Sequence, residues 1–156
     1  MLAVSWDTIR LFLHVLAATI WTGGHLVLLT AVLPRALQAR DPEVLLAFES
    51  RFEKIGMPAL VVQVASGLYM AHTLVPAPTQ WLSFGSPLAA LIGLKLSLLA
   101  MTVLAALDAR LRIIPHLSAA TLPAMARRIA FVTTVSVLFV LVGVSFRGGL
   151  LQALFG

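Results

Sequence analysis

Long apolar runs separated by short polar connections dominate the chain. The first extends from about Trp6 to Leu33, the second from about Pro58 to Leu74, the third from Pro87 to about Ile114, and the fourth from about Ala124 to Leu151. Each is near the roughly 20 residues that an α-helix needs to cross about 30 Å of hydrocarbon. Ser5 is placed to cap the first helix and Pro34 to end it. Ser86-Pro87 gives the third an N-cap followed by a proline at the first helical position, where the missing N–H is no loss. The pattern predicts an all-α fold, an integral membrane bundle of four transmembrane helices forming a single domain over residues 1–156. The first run is too long for a signal-peptide core of about 7–15 residues and has no basic segment before it, so it reads as a spanning helix.

The connections set the expected topology. Within the first, Val44, Leu45, Phe48, Phe52 and Ile55 recur at helical spacing between Glu43, Glu49, Arg51, Glu53 and Lys54, which predicts a short amphipathic helix at the membrane interface. That connection also carries Arg35 and Arg40, and the third carries Arg110, Arg112, Arg127 and Arg128. The second, from Val75 to Pro87, has prolines and Trp81 but neither Lys nor Arg. Basic loops stay on the cytoplasmic side, so both termini are expected outside, with Trp6 and Trp81 at the outer interface. No second domain or internal repeat is visible.

Composition agrees. The 156 residues are 60% hydrophobic and only 11% charged, against about 25% charged in a soluble domain. The net charge of +5 is explained by the loop arginines, with no long basic run or aromatic-basic interleaving, so no nucleic-acid partner is expected. The absence of cysteine excludes disulfides, thiolate metal sites and thiol catalysis. No carboxylate dyad, phosphate-binding loop or nucleophile elbow nominates a catalytic residue.

Ionisable residues inside membrane helices cost roughly 2.5–3.5 kcal/mol each and mark function by default. Counting along the helices at about 1.5 Å per residue brings His14 on the first, His72 on the second, Lys95 on the third and Arg147 on the fourth to the outer half of the bundle. His25 lies eleven residues beyond His14 on the same face, with Trp21 between them. It falls in the inner half, toward Asp108 and His116, where a second polar cluster is expected. Each has a plainer role available: helix–helix hydrogen bonding for His14, pairing with Asp108 or a carbonyl for His25, an interfacial position for His72, surface for His116, snorkelling for Lys95 or Arg147. The glycines Gly23, Gly24, Gly67 and Gly143 permit close helix packing or backbone approach to a flat ligand.

Facing imidazoles in a four-helix bundle can hold a haem iron, with basic residues near the propionates. Imidazole also suits copper, although copper(I) favours sulfur ligands. Of the five methionines only Met70 is near the outer cluster, so the residues lean toward haem b over copper. His14, His72, Lys95, Arg147 and Trp21 are the candidates to contact the haem, and His14, His72, His25 and His116 the candidate metal ligands.

Several short motifs resemble the CopD (copper resistance protein D) family: His14-x6-Trp21-x-Gly23-Gly24, Pro34-Arg35, Arg51-Phe52-x-x-Ile55-x-x-Pro58, Gly67-Leu68, Leu94-Lys95-Leu96 and Arg110-Leu111-Arg112. A more distant likeness is to the HemJ type of membrane protoporphyrinogen oxidase, through the His-x6-Trp-x-x-Gly spacing, the proline opening the second helix and the Lys-Leu of the third. That second resemblance implies a b-type haem at His14 and Lys95; the second glycine, His25 and His72 depart from it. The CopD resemblance implies copper uptake across a bacterial inner membrane, together with a periplasmic copper carrier. The expectation is a bilayer protein holding haem b for redox or electron transfer, with a quinone or redox carrier as partner. Copper transport and a non-catalytic membrane anchor are the alternatives, and a homo-oligomer is compatible with each.

Overall fold

The computed structural model describes residues 5–83 and 85–146. It is built of helices, four of them long and apolar enough to cross a membrane: Trp6–Ala39, Glu43–Leu74, Pro87–His116 and Leu122–Ser145.

The first span is α1 (Trp6–Val27), a π-helical turn (Leu28–Val32) and α2 (Leu33–Ala39). Ser5 caps α1 by accepting from the Thr8 N–H at 3.2 Å. Pro34 does not end the helix. A proline clashes with the carbonyl four residues earlier and cannot donate to it, and the widened π turn immediately before it takes up this conflict, so the chain stays helical to Ala39. The end comes at Arg40, whose φ of 52° is left-handed. There the Asp41 N–H donates to the Ala36 carbonyl at 3.1 Å, the closure usually made with glycine in Arg40's place. The third span repeats the device: α4 (Pro87–Asp108) widens into a π turn (Ala109–Ile113) just before the short 3-10 turn (Ile114–His116) that holds Pro115. Ser86 caps α4 by accepting from the Ala89 N–H at 3.2 Å.

The second span, α3 (Glu43–Leu74), is one helix of 32 residues. The amphipathic segment is helical, as its periodicity predicts, but it runs on through Pro58 without a break. Its apolar residues cover the bundle more than any outside surface. Leu45 is buried with Leu33, Ala36, Ile113, Leu122, Met125 and Ile129, and the Phe48 and Phe52 rings stack at 5.7 Å. Ile55 alone among them is well exposed. The fourth span is α5 (Leu122–Ser145), with Phe146 as its C-cap; the remainder of the sequence expectation, to Leu151, lies outside the described residues.

Helix α1 packs against α3 and α5, and α4 packs against α5. Leu91 and Leu98 of α4 meet Val135 and Val142 of α5. The second and third spans are tied near their ends, by Ala71 and Val75 packed with Ile92 and by the Glu53–Arg110 ion pair at 2.8 Å. Outward faces carry Phe12, Leu13, Val15, Val61, Leu104 and Val144, all exposed, as lipid contact requires.

Candidate functional site in the bundle interior

The α1–α3 interface brings His14 against Ser66, with Nδ1 to Oγ at 2.9 Å. The Ser66 hydroxyl has a single proton and directs it to backbone carbonyls of its own helix, those of Val62 and Gln63. Its oxygen therefore accepts from His14, which fixes the histidine proton on Nδ1 and leaves the Nε2 lone pair available. A serine in the second span thus orients the imidazole as outer hydrogen-bond partners do for metal-binding histidines.

Small residues make room for this polar layer. A Cβ at Gly67 would stand 3.1 Å from His14 Cε1, so the imidazole edge lies directly over the Gly67 backbone. On the opposite side a Cβ at Gly143 would stand 3.3 Å from Lys95 Nζ, and the same ammonium sits 5.5 Å from the Phe146 ring centroid, within cation–π range. The charge of Lys95 acts on His14, which relates the groups at the first and second spans to those at the third and fourth. Gln63 lies one turn from Ser66, and its side-chain oxygen is buried without a hydrogen-bond partner among the described residues. An orphaned acceptor of that kind needs a partner, and here it lies next to the His14–Ser66 pair. Arg10, one turn before His14, covers the Tyr69 ring at 4.2 Å, one turn after Ser66.

His25 is set in a different environment. Its Nδ1 is 2.8 Å from the Trp21 carbonyl; a carbonyl can only accept, so the proton is again on Nδ1 and Nε2 again carries the lone pair. Its ring lies 4.5 Å from that of Trp21 and edge-on to Phe52 at 5.8 Å. Phe52 fits there because the residue facing it is Gly24, where any side chain would collide with the ring. Thr133 donates to the Ile129 carbonyl at 2.7 Å, with the His25 carbonyl further off at 3.3 Å, and Ser136 nearby on α5 has a fully buried hydroxyl with no partner among the described residues.

Of the two plain pairings expected for His25, the one with a backbone carbonyl forms and the one with Asp108 does not. Asp108 is held by Arg128, at 2.8 Å to Nε and 2.7 Å to Nη2, and lies 3.6 Å from Arg112. Two guanidiniums satisfy the carboxylate and hold it away from α1. His72 is exposed at the last turn of α3 and His116 is exposed beyond the π turn of α4, so neither joins His14 or His25. Arg147 lies outside the described residues. Among the described residues no three His, Cys, Asp or Glu side chains cluster as a metal site. Ser66 and Gln63 are absent from the sequence-based candidates, although both interrupt an apolar run three residues apart, a spacing that puts them on one helix face.

Residues 46–146 match the family of copper resistance protein D, CopD. The chain belongs to the CopD family. The matched region is more than half of the sequence and contains Ser66, Lys95 and Gly143; His14, Trp21 and His25 precede it. No curated protein and no solved structure matches the chain. This CopD-family member is thus a multi-pass membrane protein whose interior polar layer joins an imidazole from outside the matched region to a serine and a lysine within it.

Proposed function

We propose that the chain moves copper across a bacterial inner membrane, as a single four-helix unit with its basic connections cytoplasmic and both termini outside. The observation that carries the reading is the His14–Ser66 hydrogen bond, which leaves an imidazole Nε2 available in the bundle interior. His25 supplies a second such nitrogen on the same face of α1, about 16–17 Å further along at 1.5 Å per residue. Transit requires binding that is favourable enough to admit the ion and weak enough to release it. Single-nitrogen stations meet that condition better than a closed ligand cage. Lys95 beside His14 raises the electrostatic cost of holding a cation there and so favours release. Family membership supports copper as the cargo, delivered from a periplasmic carrier.

A second reading, haem b, is favoured by the same Lys95. An ammonium next to an imidazole suits a ligand that carries both a metal centre and carboxylates. His14 and Lys95 would hold the group, the imidazole toward the metal and the ammonium toward the metal or a carboxylate, and it would supply one-electron redox chemistry toward a quinone. The exposed position of His72 does not support its service as a second ligand.

Reconstitution of the purified chain in sealed vesicles, with copper(I) supplied outside under reductant, tests the first reading. Uptake above empty vesicles, lost in His14→Ala, is expected. No uptake, together with a Soret band and sharp α/β bands after dithionite, would replace it with the haem reading. No uptake and a colourless, metal-free protein would leave a non-catalytic membrane partner.

A further inference from the structure

A groove of about 530 Å³ runs along the outside of the bundle between α4 and α5, remote from the His14 layer. Its walls are Met101, Leu104 and Phe131, and its floor at one end is Asp108, Arg127 and Arg128. A smaller hollow of about 240 Å³ adjoins it, sharing Leu104 and Asp108 and adding Arg112. Both grooves are therefore apolar along the helices and charged at one end, with the aromatic Phe131 in the larger.

The charges at that end do not cancel. Asp108 is satisfied by Arg128 and Arg112, and Glu53 by Arg110. Arg127 is exposed and has no carboxylate partner among the described residues. It lies five residues after the start of α5 at Leu122, about 8 Å along the helix. Met101 stands seven residues before Asp108, so the apolar walls extend about 10 Å from the guanidiniums toward the middle of the span. Cationic groups at one end of an apolar furrow, on a face turned to hydrocarbon, match a molecule with an anionic head and an acyl chain.

We propose that this groove is a binding site for an anionic phospholipid, with the phosphate at Arg127 and Arg128 and one acyl chain laid along Leu104, Met101 and Phe131. Arg127 is the selective element, since it brings a positive charge that no protein carboxylate among the described residues offsets. Arg128 and Arg112 hold Asp108 so that its charge does not repel the headgroup. The lipid belongs to the leaflet on the side of the arginine-bearing connection.

The test uses the full chain, delipidated in detergent and titrated with phosphatidylglycerol or phosphatidylcholine of the same acyl chains, followed by native mass spectrometry and thermal unfolding. One retained phosphatidylglycerol per chain and a rise in unfolding temperature that phosphatidylcholine does not give are expected. Arg127→Gln should remove the difference between the two lipids while leaving the unfolding temperature in phosphatidylcholine unchanged, and Arg127→Lys should keep much of it. Leu104→Trp, which fills the groove, should weaken retention with the arginines intact. Equal retention of both lipids, or an undiminished preference in Arg127→Gln, overturns the proposal. So does full reproduction of the stabilisation by inorganic phosphate or glycerol 3-phosphate, which would assign the arginines to a soluble anion.

Discussion

His14 and Ser66 are joined by a 2.9 Å hydrogen bond across the first and second spans, and the serine proton is already committed to its own helix. The bond decides which imidazole nitrogen faces the chemistry. Removing it frees the ring to take either tautomer and to turn. Ser66→Ala is expected to lower copper uptake about 10- to 100-fold, the usual cost of losing an orienting partner, with expression retained. Ser66→Thr, which keeps the hydroxyl, should recover much of the loss. Equal uptake by Ser66→Ala and the parent would remove the orienting role.

The two adjacent glycines of α1 should behave oppositely. A Cβ at Gly23 meets nothing within 4 Å, whereas at Gly24 it collides with the Phe52 ring. Gly23→Ala is expected to stabilise by about 0.5–1 kcal/mol, the cost of glycine over alanine inside a helix. Gly24→Ala should destabilise by about 1–3 kcal/mol through overpacking, and Gly24→Ala combined with Phe52→Leu should regain part of it. Thermal unfolding in one detergent compares all of them.

Arg40 holds a left-handed conformation with φ 52° at a helix end where glycine is the unstrained choice. Arg40→Gly should stabilise the chain by about 1 kcal/mol by relieving that strain. Arg40→Val, branched at Cβ, should destabilise it. A stability ranking with valine above glycine would contradict this account of the turn.

The Asp108–Arg128 pair joins the third and fourth spans with two short contacts at a partly buried position. Asp108→Asn is expected to cost about 1.5–3 kcal/mol, the range for hydrogen bonds to charged groups. The double variant with Arg128→Gln should cost less than the sum of the two single changes, because the second substitution removes the charge that the first leaves unpaired. Strict additivity in that cycle would show that the pair contributes little.

The starts of the first and third spans are legible in the sequence. Counting from Ser5 and Ser86 brings His14 and Lys95 level, and both serines do cap their helices. Rotation about the helix axis is not legible in the same way. His72 stands at a suitable height but on an exposed face, and in an apolar helix few polar neighbours mark which face turns inward. Nor does the sequence reveal the partner of Asp108, because Arg128 is twenty residues away along the chain and only the packing of α4 on α5 brings it close.

The number of spans, the apolar stretch at the heart of each and the polar residues placed in hydrocarbon all follow from the order of the amino acids alone. Lipid offers no hydrogen bonds to a bare backbone, so a long apolar run has a helix as its available spanning form. Where those helices bend, end and face is settled by tertiary packing. Pro34 reads as a terminator, yet the π turn at Leu28–Val32 absorbs it and carries the helix on to Ala39. Each residue turns a helix by about 100°, so one widened turn redirects every side chain beyond it. Contacts such as those of His14 with Ser66 and Asp108 with Arg128 therefore depend on how the four spans settle against one another.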